Sequence, residues 1–516
     1  MLDAEAKQAI QRALRHFFDS VRDVADVGEI RDHLLALLVL KYASDRHAVD
    51  ANDEIASVEY AESIPPFEQL HYDKYSPDMG SRIDWALSEL ERQHPLLREA
   101  FHSVSFNSSI LGEPKQRQQL IAHLLSCFEL PEFDFQSGIG AEAAVFACET
   151  LISEAAVVAG KRGAEFFTPP EISRLIAGLL LPEAGESVGD PCCGSGTLLL
   201  TCSEFARARS GDKGCQLFGQ EKNGRTWALA KINMFLHGEL GARLEWGDTL
   251  KDPRLLDGRE LQTFDMVVSS PPFNVKDWGQ EAAANDPYGR YRRGVPPRAS
   301  ADYAFISHMV ETLKPGHGRM AAVVSLGVLF RSGAELQIRR QLLQENLVDA
   351  VIALPAKLLP NTPLPIALLV LRKNKRDGQV LFIDASRQFE HGKTQNLLRA
   401  EDLAQIETTY AARADVEGYA CLVSVEDILQ NDCNLSVSRY VDAIEQVCRV
   451  DLEAIRAERA QLRGRRAVGD LRHAEDRLHQ QPIGSAGRDL SHDASWRAAN
   501  QGCCRDPVQQ PVLQRR

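Results

Sequence analysis

The stretch ESVGDPCCGSGT, Glu186 to Thr197, decides the fold. Residues 186–190 read as a short strand, and Thr197 opens a run, TLLLTCSEFARAR, with helical spacing. Between them, Gly194 and Gly196 let the backbone approach a ligand closely, and the helix start presents unpaired N–H groups. It is not a P-loop: Gly189 and Gly194 have that spacing, but Ser195 stands where the lysine is required. It is not the dinucleotide fingerprint either, because Gly-Ser-Gly continues into Thr-Leu-Leu with no third glycine. A tight turn without a ligand is the alternative for this stretch alone.

Downstream, short apolar runs at 215–220, 243–246, 264–269, 319–326, 347–354 and 366–371 alternate with helical patterns at 197–209, 224–238, 302–314 and 333–345; a further helix is expected over 171–181. Such alternation predicts a doubly wound, mostly parallel α/β sheet. The last two strands are joined by 355–365 alone, too short for a helical crossover, so an antiparallel strand at the sheet edge is expected. Upstream, residues 1–160 read as an all-helical N-terminal domain, with amphipathic or broadly apolar stretches such as EIRDHLLALLVLKYASDRH (Glu29 to His47). Residues 161–438 form the α/β domain, with a smaller mixed region from about 373. A helix over 439–462 follows, its apolar stripe suited to docking on a partner helix. Residues 463–516 carry 10 Arg and no Lys with no sustained period, and are expected to be disordered.

Composition excludes several classes. The longest clean apolar run, Leu34–Leu40, is seven residues, far below the ~20 needed to span a bilayer. The mixed-charge N-terminus lacks the apolar core of a signal peptide, so a cytoplasmic location and reduced thiols are expected for the 11 scattered cysteines. None lies in a C-x-x-C pair, and no metal site is expected. Lys plus Arg total 59 against 72 Asp plus Glu, a net charge of −13. Bulk charge therefore cannot hold nucleic acid, and any such contact must be local. The one conspicuous basic loop holds Arg290, Arg292 and Arg293.

The ends of the later strands carry chemistry. Glu221 ends the second strand about 25 residues after the glycines, where an acid can accept both ribose hydroxyls of a nucleoside. Gly247-Asp248-Thr249 ends the third, with Asp248 placed for an adenine amino group or, more simply, as a helix N-cap. The fourth ends in Ser270-Pro271-Pro272-Phe273, where two prolines fix an extended backbone suited to holding a planar base against an aromatic ring. Upstream, Thr168 and Glu171 form an expected capping box with Pro169 at the first helical position. That leaves the paired aromatics Phe166 and Phe167 unexplained.

The order F-F-T-P-P-E, D-P-C-C-G-S-G, G-Q-E, G-D-T, S-P-P-F resembles S-adenosylmethionine-dependent amino methyltransferases of DNA, and more closely the methylation subunit of type I restriction–modification systems. The resemblance runs from about residue 8 to 445 and includes DYAFISHMVETLKPGHGRMAAVV and GVLFRSGAELQIRRQLL. It implies an S-adenosylmethionine-dependent methyltransferase sheet and transfer of a methyl group to N6 of adenine. Glu165, Phe166, Phe167, Thr168, Pro169 and Pro170 would border the methionine part of S-adenosylmethionine. Asp190, Gly194, Ser195, Gly196 and Thr197 would form its main loop, with Glu221 on the ribose and Asp248 on the adenine. Ser270, Pro271, Pro272 and Phe273 would be the catalytic tetrapeptide. Implied partners are DNA, a specificity subunit serving two methylation subunits, and a restriction subunit. The family usually carries Asn where this chain has Ser270, and tends to a glycine-containing loop where it has Leu359 to Pro363. Ser at that position is more typical of enzymes acting on N4 of cytosine. That chemistry and a non-catalytic scaffold are the alternatives to adenine methylation.

Overall fold

In β7, Arg319–Ser325, alternate residues serve opposite faces: Ala321 and Val323 join one hydrophobic core, Met320, Ala322 and Val324 the other. The period-2 pleat thus divides the protein into two layers around one sheet. The structure, a computed structural model, describes residues 2–21, 27–50, 64–158, 168–211, 213–360, 362–393 and 395–441. These all fall in one unit, Met1–Ile444; a second unit, Glu445–Arg516, lies outside the described residues.

The strands in chain order are β1 Ser187–Asp190, β2 Gln216–Glu221, β3 Arg243–Trp246, β4 Leu256–Asp257, β5 Glu260–Leu261, β6 Met266–Ser269, β7, β8 Val348–Ala353, β9 Ile366–Arg372, β10 Gln379–Asp384, β11 Glu390–His391, β12 Asn396–Leu397 and β13 Ala420–Ser424. Nine of them form one sheet ordered β13-β10-β8-β9-β7-β6-β1-β2-β3. β4–β5 and β11–β12 are small antiparallel pairs. β1, β2, β3, β6 and β7 run parallel, as the alternation predicted. From β1 the chain winds outward through β2 and β3, then returns to β6 on the other flank of β1. The crevice beyond the carboxyl ends of β1 and β6 is therefore a topological switch point, where open α/β sheets bind ligands.

One expectation is corrected. β9 is antiparallel, as expected, but lies inside the sheet between β7 and β8 rather than at its edge. Its apolar run Ile366–Leu371 is buried throughout, which an edge strand flanked by solvent would not allow. The edge is reached only through β10 and β13, which the mixed region after 373 adds to the same sheet.

The N-terminal region is helical, with helices Ala4–Val21, Val27–Asp50, Met79–Gln93, Pro114–Cys127 and Gly140–Val158. It shares one hydrophobic core with helices Pro170–Leu180, Thr197–Ser210 and Gly224–Leu236. Helices Asp302–Glu311 and Ala334–Gln344 cover the other face. The expected docking helix lies outside the described residues beyond Val441. At its expected start, Arg439 closes a short 3-10 turn, Val437–Arg439, and Tyr440 stacks on Phe382 of β10 with centroids 4.3 Å apart. No helix among the described residues is long and apolar enough to cross a membrane, and the eight described cysteines are free thiols.

Candidate active site

The switch-point crevice is built from strand ends. After β1, Gly194 (φ 55°) and Gly196 (φ 79°) take left-handed backbone that a side chain disfavours. A Cβ on Gly196 would stand 2.7 Å from Met234 Cε. The turn leads into helix Thr197–Ser210, with Ser195 Oγ 2.9 Å from Thr197 Oγ1. Asn233, from the neighbouring helix, donates to the Ser195 carbonyl at 2.9 Å.

Asp190 Oδ1 accepts the Cys192 N–H at 2.9 Å and the Ser269 hydroxyl at 2.7 Å. Burial pushes its carboxyl up to about 7; those two hydrogen bonds oppose the shift and nearby Glu221 adds to it. Glu221, at the end of β2, accepts the Gly194 N–H at 3.1 Å and the Asn223 N–H at 2.7 Å. Burial raises its carboxyl too. Each carboxylate thus locks the glycine turn while keeping acceptor capacity free.

Asp248 follows β3. Its Oδ1 accepts the N–H groups of Leu250 and Lys251 at 3.1 and 3.3 Å, and its Oδ2 pairs with Lys222 at 2.9 Å. No helix follows Asp248, so the helix N-cap is not realised: Asp248 caps a turn instead, and it lines the cavity with both oxygens already partnered. Thr249 ties this turn to the β1 turn through a 2.5 Å bond to the Pro191 carbonyl.

These parts meet the tetrapeptide in one cavity of about 440 Å³. Glu221 and Asp248 line one side, Ser270 and Pro272 the other, and Leu250, Trp278 and Phe305 give it apolar walls. Pro271 is buried, and Phe273 is half-buried against the core. Trp278, Phe305, Lys222 and Asn233 escaped the sequence reading. Trp278 lies between the tetrapeptide and the arginine loop, in a stretch without a motif, and nothing local marks Asn233.

Several expectations change. Arg290 and Arg293 were expected to meet phosphate, yet both are buried. Arg290 pairs with buried Asp286 at 2.7 Å and donates to the carbonyls of Thr249 and Leu250, each at 3.0 Å. Arg293 bridges Glu311 and Glu345. Guanidinium groups with buried acids and carbonyls within reach gain more from them than from solvent. Arg292 is exposed but also paired with Glu311. The Thr168–Glu171 capping box does not form: the helix begins at Pro170 with Pro169 as its cap and no side-chain cap bond. The cap falls one residue after Thr168, on a proline whose side chain cannot accept, and the first-turn N–H groups of Ile172 and Ser173 go to the Pro169 carbonyl instead. Pro169 is buried and Thr168 half-buried, whereas Glu165, Phe166 and Phe167 lie outside the described residues.

Comparison with known proteins agrees with this geometry. The chain is 36% identical, over 62% of its own length, to the methylase subunit of the type I restriction enzyme MjaVII of Methanocaldococcus jannaschii. That match spans only 56% of the relative, and the match to the MjaVIII subunit of the same organism spans 60% of that one. It is 31% identical to the MpnII methylase subunit of Mycoplasma pneumoniae, over 87% of this chain and 92% of the relative. The crystal structure of a type I restriction–modification methyltransferase subunit from Streptococcus thermophilus superposes with a TM-score of 0.76 at 30% identity, covering 85% of this chain and all of that one. A model of the N-6 DNA methylase family matches residues 145–447, so both flanks of the cavity fall inside it and the chain belongs to the N-6 DNA methylase family.

Proposed function

We propose that the chain transfers a methyl group from S-adenosylmethionine to N6 of adenine in DNA, as the modification subunit of a type I restriction–modification complex acting in the cytoplasm. The observation that carries this reading is the single cavity in which Glu221 and Asp248 face Ser270 and Pro272. A nucleoside cofactor and a base would thereby meet at the switch point.

The residues present fit S-adenosylmethionine. Glu221 and Asp248 line the cavity as acids complementary to its sulfonium and ammonium charges, with Asp190 buried behind them holding the turn, and Glu221 keeps lone pairs for ribose hydroxyls. Leu250, Trp278 and Phe305 offer apolar surface to a purine. When bound, the cofactor supplies an electrophilic methyl group. The chain's own task is orientation, since an exocyclic amine is a weak nucleophile with its lone pair conjugated into the ring. Ser270 Oγ and the Pro271 carbonyl are acceptors for the two amino hydrogens, which favours the pyramidal, nucleophilic form. Phe273 would stack on the base once it leaves the duplex. The rigid Pro271-Pro272 backbone keeps these acceptors in place.

With Arg290 and Arg293 occupied, Lys251 and Lys276 are the cations at the cavity mouth, exposed and without an ion pair among the described residues. On a chain of charge −13 this gives weak, salt-sensitive DNA affinity. Sequence-specific binding then belongs to a specificity subunit serving two copies of this chain, with a restriction subunit joining them. The test is mass spectrometry of digested DNA after incubation of the assembled complex with labelled cofactor. N6-methyladenine supports the reading. N4-methylcytosine would identify Ser270 as a change of target base, and no product would leave the scaffold.

A further inference from the structure

Asn274 follows the tetrapeptide directly and has φ 54°, a left-handed conformation uncommon for a residue with a side chain. Something must hold it there. Its backbone N–H donates to Asp302 Oδ1 at 2.8 Å. The other Asp302 oxygen accepts Arg331 at 2.7 Å, and the same guanidinium nitrogen reaches Asn274 Oδ1 at 3.4 Å and Ser325 Oγ at 3.2 Å. The second terminal nitrogen donates to Ser300 Oγ at 3.0 Å and Glu335 Oε1 at 2.8 Å. Close by, the Ala301 N–H donates to the Val275 carbonyl at 2.9 Å.

One arginine therefore ties three segments at the carboxyl edge of the sheet: the chain leaving β6, the turn before helix Asp302–Glu311, and the chain leaving β7. Asp302 and Glu335 are both buried, so this guanidinium compensates two carboxylates in place of water. Upstream of Phe273, the backbone is fixed by β6 and by two prolines. Downstream, Asp302 and Arg331 hold Asn274 itself, and the Ala301 N–H holds the next residue, Val275. The direction of the Phe273 ring depends on both ends.

We propose that Asp302 and Arg331 are a positioning pair for the target base: by holding Asn274 they aim Phe273 and the Ser270 and Pro271 acceptors, without touching base or cofactor themselves. This rests on the methyltransferase reading above.

The test compares wild type, Asp302→Ala, Asp302→Asn and Arg331→Gln in the assembled complex, measuring kcat and the KM for DNA, with cofactor affinity by calorimetry. A misplacement of about 1 Å costs on the order of 10²-fold in rate, so Asp302→Ala should lose ~10–100-fold in kcat. Its cofactor affinity should stay within about 2-fold, the KM for DNA changing little, because the chemistry and not the binding depends on aim. Asp302→Asn keeps an oxygen for the Asn274 N–H while losing the charged pair with Arg331, and should recover much of the rate. Arg331→Gln should resemble Asp302→Ala and covers the case in which that variant fails to fold. Equal loss in Asp302→Asn and Asp302→Ala, or a wild-type kcat in either Asp302→Ala or Arg331→Gln, would overturn the positioning role. No transfer by wild type would overturn the methyltransferase reading and this proposal with it.

Discussion

Ser269 donates its hydroxyl to Asp190 Oδ1 at 2.7 Å, joining the ends of neighbouring parallel strands β6 and β1. The residue before the tetrapeptide and the acid at the root of the glycine turn are thus one unit, so the two halves of the site cannot shift independently.

This unit has a pH signature. Burial raises the Asp190 carboxyl from 3.8 to about 7, with Glu221 adding repulsion. An acid whose folded value exceeds its unfolded value binds more protons when folded, so its contribution favours folding below 3.8 and is lost as pH rises toward about 7. Glu221, also raised by burial, acts in the same direction; Cys192 and Cys193, likewise raised, stay protonated through that window. His308, lowered to about 3 by burial and by nearby Arg290, opposes Asp190 over the same window, so the effect is read as a difference: in urea unfolding, the stability of Asp190→Asn should rise more, or fall less, with pH than that of wild type. Identical slopes in the two proteins would remove Asp190 as the cause.

Glu221→Ala should weaken S-adenosylmethionine binding by about 1.5–3 kcal/mol, the worth of hydrogen bonds to a charged group. The loss has two sources: the acceptor for the ribose, and the anchor of the Gly194 and Asn223 N–H groups. Titration calorimetry measures it, and unchanged affinity would exclude Glu221 from the cofactor site.

Phe273→Ala should abolish methylation and leave cofactor affinity nearly intact, since Phe273 does not line the cavity that holds Glu221 and Asp248. Ser270→Asn should keep or raise adenine methylation, because an amide oxygen replaces the hydroxyl as acceptor. Product analysis by mass spectrometry decides both, and a cytosine product from wild type would refute the choice of adenine.

Arg290→Gln should lower stability by about 3–5 kcal/mol, because it leaves buried Asp286 without its cation. It should also weaken the cofactor, because the Thr249 and Leu250 carbonyls lose their donor. It should leave the salt dependence of DNA binding unchanged. The double variant Lys251→Gln, Lys276→Gln should instead reduce that slope by about 2, one unit per phosphate contact. A changed slope in Arg290→Gln would restore the loop arginines as DNA contacts.

Much of the site was legible because its parts are local. Asp190, the glycines, Glu221, Asp248 and the tetrapeptide each sit at a strand end, and strand–helix alternation alone places all strand ends of a parallel sheet on one edge. Arg290 and Arg293 misled because charge in a loop implies solvent only when no buried acid lies within reach. Asp286 is four residues from Arg290 and was visible, but Glu311 and Glu345, the partners of Arg293, come from the ends of two later helices, 18 and 52 residues on.

The sequence by itself determined the parallel sheet, the order of the turns that line its switch-point cavity and the helical region before them. These follow from periodicity, glycine and proline stereochemistry, and apolar run lengths, which act over a few residues. Only the tertiary structure decided that β9 lies inside the sheet, that Asn233 holds the Ser195 carbonyl, and that Arg331 ties Asn274 to Asp302. Those contacts join residues 29 to 57 positions apart or depend on strands added later in the chain. Burial then sets their strength, by removing the water that would otherwise compete for every charge and carbonyl.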